Sequence, residues 1–285
     1  MKIQLDWLKE YVDFDVSAEE LGQLLTMAGL EIEAQETVKL GDGNKTEVLE
    51  LNVTPNRGYC LSYFGVAREV AALMNKNFKY PDCESELKEN WGPSLVEEKL
   101  TVDNRAPELC LRYSGMVIED VKIGPSPKWL VDRLTSIGLR SVNNIVDITN
   151  FVLMEYGQPL HAFDKDLLDG SEVIVRRAIK DEAFTSLDGV ELKLDEDTLV
   201  IADTSKAIAL AGIMGGANSQ VKETTRNIIL EAASFDSVIV RKGSKKYGLR
   251  SDSSIRFERG VDVKGMIAAQ TRAALLIKEL AGGII

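Results

Sequence analysis

The only histidine of the chain, His161, lies in a stretch whose residue types could support chemistry. Asn150 and Gln158 supply amide donors and acceptors, and Pro159 restricts the backbone just ahead of the imidazole. Asp164 follows the histidine at a spacing of three residues. A single histidine is more often structural than functional, but this density of polar groups between apolar runs favours a lined pocket.

Glu231 is a second candidate, because it interrupts the apolar run 228–233. Side chains alternate between the two faces of a strand, so this carboxylate points either to solvent or into a pocket. The residues alone leave both orientations open. The glycine-rich segment 211–216 would allow close backbone approach, although a structural bend is its commoner explanation. Neither GxxxxGK[ST] nor GxGxxG is present, which disfavours nucleotide binding there.

The net charge of −11 argues against a general nucleic-acid-binding protein, since phosphate neutralisation needs clustered Lys and Arg. One segment, 241–259, departs from this balance, with seven basic residues against Asp252 and Glu258. A solvated basic face and a phosphate-contacting strip explain this excess equally well. The candidates for phosphate contact are Arg241, Lys245, Lys246 and Arg250.

Three cysteines, Cys60, Cys83 and Cys110, are odd in number and lack CxxC spacing, so we expect free thiols and no metal site. No apolar run approaches the roughly 18 residues of a membrane span, and no signal peptide is recognisable. We therefore expect a soluble, cytoplasmic protein that has no membrane partner.

The length of 285 residues favours about two domains. Periodicity and turn residues predict a helix at 18–28, strands at 31–40 and 46–53 around a turn at 41–44, and a helix at 61–73. After a polar segment come strand-like runs at 100–102, 113–118, 172–178, 191–194, 198–201, 207–211 and 227–232, helices at 127–137 and 143–155, and a helix at 263–280. This is an α+β pattern with mixed strands. The predicted domains are a small N-terminal α/β structural domain at 1–85, a linker at 86–98, an α+β domain at 99–262 and a C-terminal helix within 263–285.

Several stretches, in order along the chain, resemble the bacterial phenylalanyl-tRNA synthetase beta subunit. They are MKIQLDWL at 1–8, the TPNR, CLS and GVARE segments within 54–69, VDITNFVLMEYGQPLHAFD at 146–164, AGIMGG at 211–216, LEAA at 230–233 and RFERGVD at 256–262. The resemblance implies that 99–262 is a B3/B4-like editing domain. Most of these subunits carry an oligonucleotide-binding barrel near residues 36–47, where this chain has room only for a hairpin. The family's beta subunit is far longer and continues beyond a helix such as that predicted at 263–280, so this chain looks like an N-terminal fragment or a truncated relative.

The resemblance also implies roles for individual residues in hydrolysing mischarged tyrosyl-tRNA(Phe). Glu231 would accept a hydrogen bond from the phenolic hydroxyl of tyrosine. His161 and Thr149 would border the ester and its terminal ribose, and Asn150 would orient them. The substrate-binding wall would include Gly212, Gly215 and Ala233. No GxSxG elbow is present, so the expected nucleophile is water.

The family forms an α2β2 ligase that uses ATP, magnesium, phenylalanine and tRNA(Phe), with adenylate formation in the alpha subunit. The resemblance therefore implies the alpha subunit and tRNA(Phe) as partners, no cofactor in this chain, and at most an editing hydrolase activity by itself. The alternative is a scaffold module that holds tRNA or the alpha subunit without catalysis. Hydrolysis of a tyrosyl ester distinguishes the two.

Overall fold

The computed structural model describes residues 1–81, 83 and 99–285. It divides into two compact units: unit 1 comprises Met1–Asp82 and Pro125–Gly157, and unit 2 comprises Cys83–Gly124 and Gln158–Ile285. The domain predicted at 99–262 is continuous in sequence. In the structure, residues 125–157 within that range, which form two helices, belong to unit 1. The predicted linker at 86–98 lies outside the described residues.

Unit 1 combines a three-stranded antiparallel sheet with helices. Its elements are β1 (Lys2–Gln4), α1 (Leu5–Leu8), α2 (Ala18–Met27), β2 (Glu31–Lys39), β3 (Lys45–Asn52), a 3-10 helix (Pro55–Cys60), α3 (Tyr63–Met74), α4 (Lys128–Ser136) and α5 (Asn144–Tyr156). The strand order is β1-β3-β2. The predicted hairpin at 31–53 is confirmed by the pairing of β2 with β3.

Capping residues determine where these helices begin. The Ser17 side chain accepts a hydrogen bond from the Glu20 backbone, and the Glu20 side chain accepts one from the Ser17 backbone, which forms a capping box at α2. Asn143 caps α5, and Gly157 ends it in the left-handed conformation, with φ 77°. The predicted helices at 18–28 and 143–155 are confirmed.

An aromatic stack explains why α5 belongs to unit 1. The Trp7 ring lies between Tyr63 and Phe151, with centroid distances of 3.8 and 4.7 Å. The Trp7 Nε1 donates to the Tyr11 hydroxyl, which in turn donates to the buried Glu155 of α5. These contacts join residues far apart in the sequence, so local patterns could not indicate them.

Unit 2 contains most of the β structure. Its elements are β4 (Thr101–Asn104), β5 (Cys110–Ile118), β6 (Leu160–Asp164), β7 (Glu172–Arg177), β8 (Glu182–Thr185), β9 (Glu191–Leu194), β10 (Leu199–Ala202), β11 (Ala207–Leu210), β12 (Met214–Gly215), β13 (Ile228–Phe235), α6 (Ser237–Tyr247), α7 (Asp252–Arg259) and α8 (Met266–Ala281). Sheet orders are β12-β11-β10-β7-β4, β5-β13-β6 and β8-β9. Only β4 and β7 pair in parallel among these strands. The predicted α+β fold with mixed strands is confirmed.

The core of unit 2 joins the five-stranded sheet to the three-stranded sheet. It includes Val173 and Ile201 from the former and Ile229 and Phe235 from the latter. Helix α8 contacts the three-stranded sheet, where the Gln270 Nε2 donates to the Leu230 carbonyl at 2.8 Å. The predicted C-terminal helix therefore belongs to unit 2. Among the described helices, none is long and apolar enough to cross a membrane.

Candidate functional site

Strand β13 places Glu231 on the face that carries the hydrophobic core. Ile229, Ala233 and Phe235 are in that core and share the strand face of Glu231, because side chains alternate along a strand. Glu231 itself is only 8% exposed. Of the two orientations that the sequence left open, the structure therefore has the buried one.

Strand β6 places His161 directly opposite Glu231, since these residues are partners in the antiparallel pairing of β6 with β13. Directly opposite side chains lie on the same face, with Cβ atoms about 4.5–5.5 Å apart. Just before β6, the Gln158 Nε2 donates to the Ala233 carbonyl at 2.9 Å. This bond lies beyond the last β6–β13 pair, Leu160 with Ala232, and anchors the segment leading to His161.

Gly215 packs against the imidazole of His161. A Cβ atom added to Gly215 would lie 2.5 Å from the His161 Cε1 and 2.8 Å from its Nε2. The imidazole also contacts the Phe163 ring, at a centroid distance of 4.6 Å in an edge-on arrangement. Glycine at position 215 thus makes room for the imidazole, which gives this predicted wall residue a steric reason to lack a side chain.

Burial keeps the imidazole neutral. Desolvation lowers the pKa of His161 to about 4. Its Nε2 is buried and has no hydrogen-bond partner among the described residues. A base with so low a pKa removes a proton from water poorly at neutral pH. His161 is therefore suited to hydrogen-bond a ligand rather than to act as a strong general base.

Burial also raises the pKa of Glu231, to about 7, against an opposing effect of one hydrogen bond. The donor is the Tyr113 hydroxyl on β5, at 2.7 Å from the Glu231 Oε2. The carboxylate thus already accepts a hydrogen bond from a phenol in a desolvated setting.

The Gln158 Oε1 is a second buried polar atom near this strand end that has no partner among the described residues. Buried polar groups in proteins are nearly always hydrogen-bonded, so an exception requires an explanation. Together with the His161 Nε2, it gives unit 2 unused hydrogen-bonding capacity around β6. A polar ligand would supply the missing partners.

The raised pKa of Glu231 predicts a pH-dependent cost of folding. Its pKa is about 4.5 in the unfolded chain and about 7 in the fold, so this group favours the fold most below about pH 4.5 and loses that contribution as the pH rises through 7. Between these two pH ranges, the contribution of Glu231 to the free energy of unfolding differs by about 3 kcal/mol. Glu231→Gln keeps an acceptor for Tyr113 and removes the charge. We expect it to raise the free energy of unfolding by about that amount near pH 8 and to change it little near pH 4.

Chemical denaturation at both pH values measures this effect. Glu223→Gln is the matched control, since Glu223 is an exposed carboxylate of the same unit. An equal gain in the control, or a gain for Glu231→Gln that is independent of pH, would contradict the prediction.

Two other predicted catalytic residues, Thr149 and Asn150, lie on α5 in unit 1. Thr149 is buried, and its Oγ1 donates to the Val146 carbonyl at 2.8 Å. The structure brings His161 and Glu231 together within unit 2. The convergence of all four residues on one cavity stays a prediction.

Gly212 has a different environment from Gly215. A Cβ atom at Gly212 would lie 2.9 Å from both Phe235 and Phe257, and the residue has a φ of +70°. Hydrophobic packing and backbone conformation therefore account for this glycine. Ala233 is buried on the same strand face as Glu231 and pairs with Tyr113 on β5.

The basic segment 241–259 lies in and between helices α6 and α7. Its basic side chains differ in burial and in ion pairing, although the sequence shows only an excess of positive charge. Lys246 forms an ion pair with Asp195, and the buried Arg256 pairs with the exposed Asp252 at 3.0 Å. The remaining exposed cations have no ion pair with any described residue; they are Arg241, Lys242, Lys245 and Arg250, here called the basic patch. Of the four predicted phosphate contacts, Lys246 is thus the one already paired.

Sequence reasoning missed Tyr113 and the anchoring role of Gln158. Tyr113 belongs to a predicted strand, but its contact with Glu231 depends on the pairing of β5 with β13, more than a hundred residues apart in the sequence. In the sequence, Gln158 is recognisable only as a polar neighbour of His161. Within the described part of the chain, no group of three or more His, Cys, Asp or Glu side chains is placed to hold a metal ion.

Comparison with known families defines the class of protein. A family model described as the B3/4 domain matches residues 109–282, which is more than half of the chain and includes the Glu231–His161 pair. The chain therefore belongs to the B3/4 domain family and is a homologue of phenylalanine–tRNA ligase beta subunits. The expectation drawn from the sequence motifs is confirmed at this level.

The similar proteins are longer than this chain. The phenylalanine–tRNA ligase beta subunit of Carboxydothermus hydrogenoformans is 54% identical over 84% of this chain and 29% of its own length. The subunit of Rhodopirellula baltica is 45% identical over 100% of this chain and 40% of its own length. The chain thus spans well under half of each of these two relatives.

A solved N-terminal fragment of the phenylalanyl-tRNA synthetase beta-subunit from Pyrococcus horikoshii aligns with 100% of this chain and 74% of its own length. The TM-score is 0.44 at 14% sequence identity. This likeness is too distant to support an argument about the site.

Proposed function

We propose that unit 2 carries an editing pocket that hydrolyses mischarged tyrosyl-tRNA(Phe), as part of the beta subunit of a phenylalanine–tRNA ligase. The observation that carries this proposal is Glu231. It is a buried carboxylate on the core-facing side of β13, directly opposite the neutral His161. A carboxylate in such a place is costly to the fold, and recognition of a ligand hydroxyl gives it a use.

The chemistry of the ligase reaction supplies the need for such a pocket. An apolar site for phenylalanine cannot strongly exclude tyrosine, which merely adds a hydroxyl, and discriminates against it by only about a hundredfold. A second site must therefore recognise the hydroxyl itself. Glu231 accepts a hydrogen bond from the tyrosine phenol, whereas bound phenylalanine would bury the carboxylate oxygen that Tyr113 does not contact, Oε1, without a partner, at a cost of about 1–3 kcal/mol.

The reaction is hydrolysis of the ester between the tyrosine carbonyl and the terminal ribose. Water adds to the carbonyl carbon, the bond to the ribose oxygen breaks, and that oxygen takes up a proton. His161 donates to or accepts from the ligand through the unpartnered Nε2, and Gly215 keeps the space that its ring needs. Roles for Thr149 and Asn150 at the ester rest on the family resemblance.

The synthetic reaction belongs to the complete enzyme. In this proposal an α2β2 assembly in the cytoplasm activates phenylalanine with ATP and magnesium in the alpha subunit and transfers it to tRNA(Phe). This chain contributes only to removal of the wrong amino acid.

Hydrolysis of tyrosyl-adenosine tests the proposal with a minimal substrate, since it contains the ester and the terminal ribose but no other nucleotides. We expect the chain to release tyrosine faster than the uncatalysed rate, and to release phenylalanine from phenylalanyl-adenosine more slowly. Absence of catalysis for both esters would favour the alternative function, a scaffold that binds tRNA or the alpha subunit. The low basicity of His161 is the observation that favours this alternative.

The basic patch predicts how tRNA binding depends on salt. Lys242 and Lys245 are exposed and three residues apart on α6, so they lie on one side of this helix. Replacing both with alanine should reduce the slope of log affinity for tRNA(Phe) against log salt by about 1.4–1.8, because each phosphate contact contributes about 0.7–0.9.

Fluorescence anisotropy with labelled tRNA(Phe) over a series of KCl concentrations measures this slope. The matched control is Lys180→Ala with Lys193→Ala, which removes the same charge from exposed positions of unit 2 outside the patch. Equal slopes for the two double variants would show that the patch is only a solvated face.

A further inference from the structure

The hydroxyl of Tyr113 donates a hydrogen bond to one of the two carboxylate oxygens of Glu231. Tyr113 is the register partner of Ala233, and Glu231 is the partner of Gly115, so the tyrosine reaches its diagonal neighbour across the sheet. Aromatic side chains can span such diagonal positions. The resulting hydrogen bond joins Tyr113 Oη to Glu231 Oε2 at 2.7 Å.

The second oxygen, Oε1, accepts no hydrogen bond from any described residue. An ionised carboxylate has two oxygens and about four acceptor sites, so a second donor can bind while Tyr113 stays in place. The bond to Tyr113 also restrains the carboxylate, because it holds one oxygen toward β5. The remaining oxygen is left with a defined orientation.

We propose that Tyr113 is a positioning residue that sets the amino-acid specificity of this pocket: it holds Glu231 through Oε2 so that Oε1 is the atom that accepts a phenolic hydroxyl from the ligand. The inference rests on the proposed function of the site. Neither the sequence motifs nor the family resemblance assigned a role to Tyr113.

Electrostatics give the hydrogen bond a second effect. Burial raises the pKa of Glu231 and the bond from Tyr113 lowers it. Without the hydroxyl, a larger fraction of Glu231 would be protonated at neutral pH. A neutral acid forms a hydrogen bond that is roughly half as strong as one formed by a carboxylate, so the preference for a ligand hydroxyl would fall.

Glu231 is the group of this set that titrates near neutral pH. The titratable groups facing it are Tyr113 and Cys110 on β5 and His161 on β6, while β11 and β12 contain none. Burial raises the pKa of Cys110 to about 12 and that of Tyr113 well above its ordinary value, and it lowers the pKa of His161 to about 4. A change in ligand preference near neutral pH therefore reports on Glu231.

The test is calorimetric titration of free tyrosine and free phenylalanine into the chain and into Tyr113→Phe, from about pH 5 to about pH 9. At neutral pH we expect the ratio of phenylalanine Kd to tyrosine Kd to fall by about 5- to 10-fold in the variant. The pH midpoint of the preference should also move upward. In a Glu231→Ala background, Tyr113→Phe should have no further effect on the ratio.

Tyr247→Phe is the matched control, because the Tyr247 hydroxyl is also hydrogen-bonded in unit 2, to Thr198 at 2.6 Å. It should leave the ratio and the midpoint unchanged, and thermal unfolding should show that both variants are folded. An unchanged ratio in Tyr113→Phe, or tighter tyrosine binding because the hydroxyl had competed with the ligand, would overturn the inference alone. If the unmutated chain shows no preference for tyrosine, both the proposed function and the inference about Tyr113 fail.

Discussion

Replacing Glu231 with alanine will erase the preference of this chain for tyrosine over phenylalanine. In the unmutated chain, tyrosine should bind more tightly by about 1–3 kcal/mol, or about 5- to 150-fold, because only tyrosine supplies a donor to the buried carboxylate. Removing the carboxylate removes both the acceptor for the tyrosine hydroxyl and the cost of leaving that acceptor unpaired when phenylalanine binds. The affinity for phenylalanine should then equal or exceed that for tyrosine.

Isothermal titration calorimetry with both amino acids measures the two affinities. Glu231→Gln separates charge from hydrogen bonding, since its amide oxygen still accepts; its preference should be intermediate. Glu223→Ala, at an exposed position of unit 2, is the control that should retain the preference. Equal affinities in the unmutated chain, or a preserved preference in Glu231→Ala, would refute the assigned role of Glu231.

A methyl group at position 215 is expected to disable the site by displacing His161. The added Cβ would lie 2.5 Å from the Cε1 atom of the imidazole, a separation that carbon atoms do not tolerate. The ring must shift, and a displacement of about 1 Å near reacting atoms can reduce turnover by about a hundredfold. Overpacking of this buried position should also reduce the free energy of unfolding by about 1–3 kcal/mol.

Deacylation rates and chemical denaturation measure the two effects of Gly215→Ala. Gly124→Ala is the control, because a Cβ atom there meets no other atom within 4 Å. Adding His161→Ala to Gly215→Ala should restore part of the stability without restoring activity, since it removes the ring that the methyl group strikes but leaves Leu187 Cδ1 at 2.9 Å from the added Cβ. Full activity of Gly215→Ala would mean that the position of His161 is irrelevant to the reaction.

Local sequence patterns predicted most of the elements that support the site. The helix at 18–28, the turn at 41–44 and the apolar strand at 227–232 each depend on neighbouring residues, so their structures follow from local physics. The types and spacing of the polar residues around His161 indicated a pocket-lining segment, but the strand that this segment forms, β6, was not predicted.

The arrangement of these elements depends on contacts that local patterns do not encode. Strand β6 is five residues long and contains His161 and Asp164, so it lacks a hydrophobic alternation; pairing with the distant β13 stabilises it. The stack of Trp7 on Phe151 assigns α5 to unit 1. The ion pair of Lys246 with Asp195 and the bond of Tyr113 to Glu231 depend on tertiary structure in the same way.

Single-turnover deacylation of tyrosyl-tRNA(Phe), compared with phenylalanyl-tRNA(Phe), is the most direct test of the editing pocket. The unmutated chain should hydrolyse the tyrosyl ester at least about tenfold faster than the phenylalanyl ester, as expected from the cost of an unpaired buried acceptor. Glu231→Ala should bring the two rates together, and Glu223→Ala should leave them apart. Hydrolysis of both esters at the uncatalysed rate, or at equal rates by the unmutated chain, would contradict an editing role for this pocket.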